Sequence, residues 1–358
     1  MKWPIPRLKC RSLAPYSLGR PVVLAALVCL LLVEIVSAED KALSLDEMRR
    51  AVADASNRAS RWGGPESGPI GKQGMRVAVV CEDLRNGGVL GVARGIAEAA
   101  AEIGWKFQVF DARGHHEGRR QELTNALATN PDGMILVGSD AASLEPDLAA
   151  YVKRSIPIVG WHVGPTAGRL SGGAVAMNVS TDPLEVARVT AMAAIVDSHA
   201  SGGMIIVNDS NFEIATAKAN AMAEIIRQCR DCVLLEVRDL PISQSAHLMP
   251  EITKEWLAYY GKRWTHTLAI NDIFFDYMAP ELTKAGRDIS LFSAGDGSSA
   301  AFLRIQAGIF QRGTVAEPLN LQGWQLVDEL NRLLSRHPVS AYVMPAHLVT
   351  PEIIGLDG

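Results

Sequence analysis

The feature that most limits what this chain can become is a rhythm of short, β-branched apolar runs alternating with longer stretches of helical periodicity. Runs at 76–80, 106–110, 133–137 and 156–161 are separated by helical patterns that end near Ile103, Ala128 and Lys153. Strand, helix and strand in succession make a right-handed βαβ unit, and several in a row make a parallel sheet with helices on both faces. After Asp182 the rhythm restarts, with runs at 204–207, 233–236, 267–270 and 291–294. At 358 residues the chain is also too long for one core of ordinary size. The pattern predicts an α/β protein of two similar, Rossmann-like lobes, each a doubly wound parallel sheet.

The first residues have a different character. Lys2, Arg7, Lys9, Arg11 and Arg20 precede an apolar run at 22–33, and Val36-Ser37-Ala38 leads into Glu39-Asp40. That order is a secretory leader, its apolar run well short of the roughly 20 residues needed to span a bilayer. Cleavage after Ala38 is favoured over an uncleaved anchor, suggested by the closeness of Glu34, and over a lipid-anchored start at Cys29, before which Val28 is bulky. The leader holds five basic residues and one acid, so the formal charge of −4 becomes −8 without it. An acidic body argues against nucleic acid as a partner.

Within 39–74, Leu45, Met48, Val52, Ala55, Ala59 and Trp62 recur at spacings of three and four, one stripe of a short amphipathic helix. The Gly- and Pro-rich stretch 63–71 cannot continue it and reads as a linker. Docking of the helix onto the body is favoured over service to a partner protein.

Cys10 and Cys29 leave with the leader, which puts Cys81, Cys229 and Cys232 in an oxidising compartment. The CxxC at 229–232 admits a redox pair, half a zinc site or a local disulfide. It follows a helical run instead of opening one, and there is no second pair for zinc, so a Cys229–Cys232 disulfide is favoured. Cys81, inside an apolar run, reads as a buried thiol.

Open parallel sheets bind ligands at the carboxyl ends of their strands. The residues there are 82–86, Ser139-Asp140, Trp161-His162, 209–212, Asn271-Asp272 and Asp296-Gly297. Sugar hydroxyls both donate and accept, so they want carboxylates, amides and flat apolar faces. Asn86, Asp140, Asn271, Asp296 and Glu317 offer the first two; Trp161, Phe212, Phe274 and Phe275 could offer the third. The chemistry fits a polyol. Competing readings stand beside it: Asp182 and Asp272 as helix caps, at least one of Phe274 and Phe275 as core, His162 as a structural hydrogen-bonder instead of a ligand contact. His115-His116 lacks carboxylates at a ligating spacing, and neither a metal nor a cofactor is expected. Gly87-Gly88, Gly91 and Gly95 do not make the dinucleotide fingerprint, and no Walker, GxSxG or HExxH sequence occurs. Acids spread over both halves among amides suit a clamp better than a glycosidase pair, so no enzymatic activity is expected.

In order, Arg76-Val77-Ala78-Val79-Val80, Asn86, Pro131-Asp132-Gly133-Met134-Ile135-Leu136-Val137, Asp140, Ile156-Pro157-Ile158-Val159, Ala269-Ile270-Asn271-Asp272, Ser293-Ala294-Gly295-Asp296-Gly297 and Thr314-Val315-Ala316-Glu317-Pro318 resemble the ribose-binding branch of the periplasmic substrate-binding proteins that serve ABC importers. The resemblance runs from about Met75 to about Pro351. It implies two lobes joined by a three-strand hinge, crossed near 177–179, 316–318 and 342–345. The lobes are then 75–177 with 318–343, and 178–317 with 344–358. It implies that Asn86 and Asp140 hold hydroxyls from the first lobe, that Asn271 and Asp296 do so from the second, and that Glu317 stands at a crossing where the family often has Gln. Two departures weaken the case for ribose itself: Gly87-Gly88-Val89 replaces the family's Pro-Phe-Phe, and Thr216, or Lys218 in a shifted register, replaces its arginine. The resemblance further implies a monomeric periplasmic protein whose partners are a sugar or polyol and an ABC permease. A sensor that shows its closed form to a membrane histidine kinase or chemoreceptor is the alternative, while a sugar-responsive repressor lacks its basic recognition helix here.

Overall fold

A computed structural model describes residues 43–57 and 62–354. The expected leader, its cleavage point and Cys29 lie outside the described residues. Strands β1 (Arg76–Cys81), β2 (Lys106–Asp111), β3 (Gly133–Val137), β4 (Ile158–Trp161), β5 (Gly168–Arg169) and β6 (Val175–Val179) form one six-stranded sheet in the order β2-β1-β3-β4-β6-β5. Strands β7 (Gly203–Asn208), β8 (Val233–Asp239), β9 (His266–Ala269), β10 (Ser290–Ser293), β11 (Gln311–Ala316) and β12 (His347–Val349) form the other, in the order β12-β11-β10-β9-β7-β8. Only the edge pairs β5–β6 and β11–β12 are antiparallel. Read from β2 and from β8, the two orders agree over their first four strands and differ only in the edge pair, where β5 precedes β6 in the chain but β12 follows β11, so the chain repeats one doubly wound plan in its parallel core. β1, β3, β4 and β7 are buried almost throughout, which is why they read as unbroken apolar runs instead of alternating ones.

The helices are α1 (Leu45–Ser56), α2 (Gly87–Glu102), α3 (His116–Ala128), α4 (Glu145–Lys153), α5 (Pro183–Asp197), α6 (Glu213–Gln228), α7 (Ser245–Tyr260), α8 (Ile273–Ala285), α9 (Ser299–Gln306), α10 (Leu319–Leu334) and α11 (Pro351–Ile354). On the first sheet, α2 and α10 close one core around Val79, Val92, Ile96, Leu326 and Leu330, while α3 and α4 close the other around Val80, Leu123, Leu148 and Tyr151. The chain passes between sheets three times: from β6 into α5, from β11 into α10, and from α10 back to β12. Thr181 of the first crossing pairs in parallel with Met344 of the third, so these two run side by side.

The N-terminal helix docks on the body. It begins with a capping box, Glu47 N donating to Ser44 Oγ at 3.3 Å and Ser44 N to Glu47 Oε2 at 2.8 Å. Met48 and Ala55 then join the core of the second lobe, against α5 and β12. The linker instead lies on the first lobe. Lys72 N donates to Asn331 Oδ1 at 2.9 Å, and Trp105 Nε1 donates to Lys72 O at 2.6 Å. Trp62 meets Tyr342 of the third crossing edge to face, with ring centres 5.0 Å apart. Cys229 and Cys232 form a disulfide where α6 gives way to β8. Cys81 is free and buried; burial, then the charge of Asp111, pushes its thiol up to about 12. Among the described residues no helix is long and apolar enough to cross a membrane.

Met48 is 4 % exposed, so Met48→Ala should cost roughly 2–3 kcal/mol. Urea denaturation checks it, and an unchanged midpoint would mean that α1 contributes nothing to the second lobe.

Candidate functional site

Both sheets have the strand order in which the sequence of connections reverses between their first and third strands, and a crevice opens at the carboxyl ends there. The two crevices face one another. Between them lies a cavity with about 70 Å³ open to water. Its first-lobe wall is built by the ends of β1, β3 and β4, with Glu82, Asn86, Gly138, Trp161 and His162; its second-lobe wall by Asp209, Phe212, Lys218, Asn271 and Asp296.

Glu82 is fixed by the fork of Arg119, two bonds of 2.6 Å, and by Ser139 Oγ at 2.6 Å. The same guanidinium lies 5.3 Å from the ring centre of Phe212, across the cleft. Asn86 caps α2 through Gly88 N at 2.9 Å. Trp161 stacks on His162 with ring centres 3.7 Å apart and donates from Nε1 to Gln322 Oε1 at 2.7 Å. His162 has φ of 51°, a left-handed conformation uncommon outside glycine. Its Nε2 lies 2.6 Å from Glu317 Oε1 and its Nδ1 lies 4.0 Å from Asp296 Oδ1. Asp296 accepts a 2.7 Å bond from Asn271 Nδ2. Lys218, 3 % exposed, donates to Ala294 O at 2.8 Å.

The electrostatics follow from burial. It pushes the Asp296 carboxyl up to about 6, against the opposing pull of His162 and Lys218. Burial also raises Glu317, but the charge and hydrogen bond of His162, with Lys218 and Gln322, more than offset it and hold that carboxyl at about 2. Ligating atoms of His162, Asp296 and Glu317 come within 4.8 Å of one another. The direct 2.6 Å bond between His162 and Glu317 leaves no room for an ion between those two, and the ammonium of Lys218 stands beside Asp296. The arrangement suits hydrogen bonding of a small polar molecule.

Of the eight residues singled out from sequence, Asn86, Trp161, His162, Phe212, Asn271 and Asp296 line the cavity. Asp140 and Glu317 do not. Asp140 spends its carboxylate on Ala142 N at 2.9 Å and on Glu213 N of the opposite lobe at 3.1 Å. Glu317 lies behind His162, bonded also by Thr181 N at 3.0 Å and Gln322 Nε2 at 2.6 Å. Asp182 caps α5, but Asp272 does not cap α8: its carboxylate takes Gly297 N and Gln311 Nε2, each at 2.8 Å. Phe274 and Phe275 are both core.

A family model described as periplasmic binding protein domain matches residues 77–337. The chain belongs to the periplasmic binding protein domain family. It is accordingly a binding protein and not an enzyme, of the ribose-binding-like type I fold. No curated protein matches the chain by sequence. A solved solute-binding protein of an ABC transporter from Agrobacterium vitis, with bound allitol, has a TM-score of 0.69 at 16 % identity, covering 80 % of this chain and 98 % of its own. A myo-inositol-binding protein from Caulobacter, bound to myo-inositol, gives 0.68 at 17 %, covering 79 % and 95 %. A 5-methylthioribose transporter solute-binding protein from Thermotoga lettingae gives 0.70 at 16 %, covering 78 % and 88 %.

In this periplasmic binding protein the sequence reading missed Arg119 and left Lys218 as one of two registers. Lys218, one turn inside α6, is the residue that reaches the cavity. Arg119 lies in a polar helix with no signal to set it apart. Its side chain is 9 % exposed and that of Glu82 7 %, so Arg119→Ala would strand a buried carboxylate and should cost about 3–5 kcal/mol, read as the loss of unfolding free energy in urea.

The pH dependence has a defined sign. The folded Asp296 carboxyl, at about 6 against an ordinary 3.8, holds its proton more tightly than the unfolded chain does. Its contribution to stability is full below about pH 4 and is lost as pH rises through about 6. The stability of wild type relative to Asp296→Asn should therefore increase between pH 7 and pH 4.5, and parallel thermal melts at the two pH values would show it.

Proposed function

We propose that the protein is exported by its leader, binds a sugar or polyol between its lobes, and hands it to the permease of an ABC importer. The observation that carries this reading is the cavity at the facing switch points. Its polar groups come from both lobes, so a ligand gains all its contacts only when the lobes are together. Asn86 Nδ2, Lys218 Nζ, Asn271 and Asp296 are the groups placed to meet hydroxyls, with Asp296 Oδ1 as the charged acceptor. Phe212 offers an apolar face. Trp161 acts through its neighbour, since His162 covers one face of its ring and stands at the cavity wall. Supporting the ligand class, the solved proteins from Agrobacterium vitis and Caulobacter carry allitol and myo-inositol.

Thermal melts against pentoses, hexoses, sugar alcohols, inositols, nucleosides and amino acids test the assignment. A ligand at about 100 times its Kd adds roughly 2.7 kcal/mol. A sugar or polyol should give such a shift, and Asp296→Ala should remove it. A response confined to nucleosides or amino acids would overturn the ligand class.

A further inference from the structure

A second and larger cavity adjoins the crossings. About 1090 Å³ of it is open to water, and it shares only Asn271 with the cavity of the cleft. Its walls come from one face of α2 with the start of α10, from α8 and α9, from the second and third crossings, and from α11. The lining is mainly apolar, with Leu90, Ile273, Phe302, Leu319, Met344 and Ile353. Most of its charged groups are already spent inside the protein. Asn320 Nδ2 donates to Glu98 Oε2 at 2.7 Å, Arg304 pairs with Asp276, and Arg85 pairs with Asp83 at 2.6 Å. Glu317 is bonded by His162, Thr181 and Gln322. Arg94 is the exception. Its residue is exposed, and among the described residues its guanidinium makes no hydrogen bond or ion pair.

Apolar side chains around a water-filled space of this size favour a molecule that displaces the water, and a few polar groups then fix its orientation. Here the orienting group is a cation on the rim, and the acids of the wall have other partners. A peptide would bring an amide at every residue, for which the wall has few free partners; a hydrocarbon chain brings none. We propose that this cavity is a second binding site, for an amphipathic anion with an unbranched acyl chain. The chain covers the apolar wall and the acid group meets Arg94. The site is separate from the cleft cavity and independent of what the cleft binds.

Isothermal titration of the purified protein with decanoate, hexanoate and decanol tests this. Decanoate should bind more tightly than hexanoate by about two orders of magnitude when all four added methylenes are buried. Arg94→Ala should raise the Kd for decanoate about fivefold, the upper end for an ion pair at a wet rim, and leave decanol unchanged. Ile353→Glu, at a half-buried position on the short last helix, should weaken decanoate by about tenfold or more, since it sets a charge against the apolar chain. Lys218→Gln, which removes the ammonium of the cleft, should leave decanoate binding as it is. Absence of decanoate binding, equal affinity for hexanoate, an Arg94→Ala variant that binds decanoate as wild type does, or loss of decanoate binding in Lys218→Gln would each overturn the site.

Discussion

The carboxylate of Glu317, buried in the second crossing between the lobes, is the point on which the cleft depends. One oxygen takes His162 Nε2; the other takes Thr181 N from the first crossing and Gln322 Nε2 from α10. Gln322 turns its own oxygen to Trp161, and Trp161 stacks on His162. The four side chains close a ring. A buried charge is tolerable only when such partners are all in place, so the ring ties the end of β4 to two crossings at once. It also holds His162 in its left-handed conformation, a strain of roughly 1–3 kcal/mol, and aims Nδ1 at Asp296 and the second lobe.

The same hinge region receives the N-terminal extension. α1 belongs to the second lobe through Met48 and Ala55, and the linker belongs to the first through Asn331 and Trp105. Trp62 and Tyr342 meet at the third crossing. A movement of one lobe relative to the other must therefore be accommodated by the extension as well as by the three crossings.

Where sequence was legible, burial made it so. Central parallel strands are covered on both faces, and covered strands become continuous apolar runs, so 76–80 or 133–137 could be placed by inspection. β5 and β12 have two and three residues and are too short to show a period; β11, QRGTVA, mixes polar residues and glycine, with Gln311 held inside by Asp272 and Arg312 turned outward to Asp288. Most of the cavity was legible because strand ends mark it. The role of Asp140 was not, since its deciding partner is a backbone N–H 73 residues away. Asp272 shows the same limit: a residue before a helix is a natural cap, but a tertiary acceptor role outbid the local one, with Asn271 taking the N–H of Ile273 instead at 3.0 Å.

Most charges at the cleft are paired within the protein. Glu82 is spent on Arg119, and Glu317 on His162, which leaves the amide of Asn86, the ammonium of Lys218 and one oxygen of Asp296 to be satisfied from within the cavity. On the proposed reading, with glycines where the ribose-like pattern has aromatic residues, Phe212 is left as the apolar face and hydrogen bonding would supply most of the recognition. That favours discrimination by hydroxyl pattern. On the proposed sugar or polyol reading, a ligand lacking a hydroxyl opposite Asp296 would leave a buried carboxylate oxygen without a donor, a penalty of about 1–3 kcal/mol or more for a charged group, whereas an additional methylene elsewhere in the cavity would change affinity far less sharply. Because burial has already lifted the Asp296 carboxyl to about 6, a hydroxyl donor at that oxygen would stabilise the ionised form and draw the proton off, so on the proposed reading ligand capture and deprotonation of Asp296 would be one linked event.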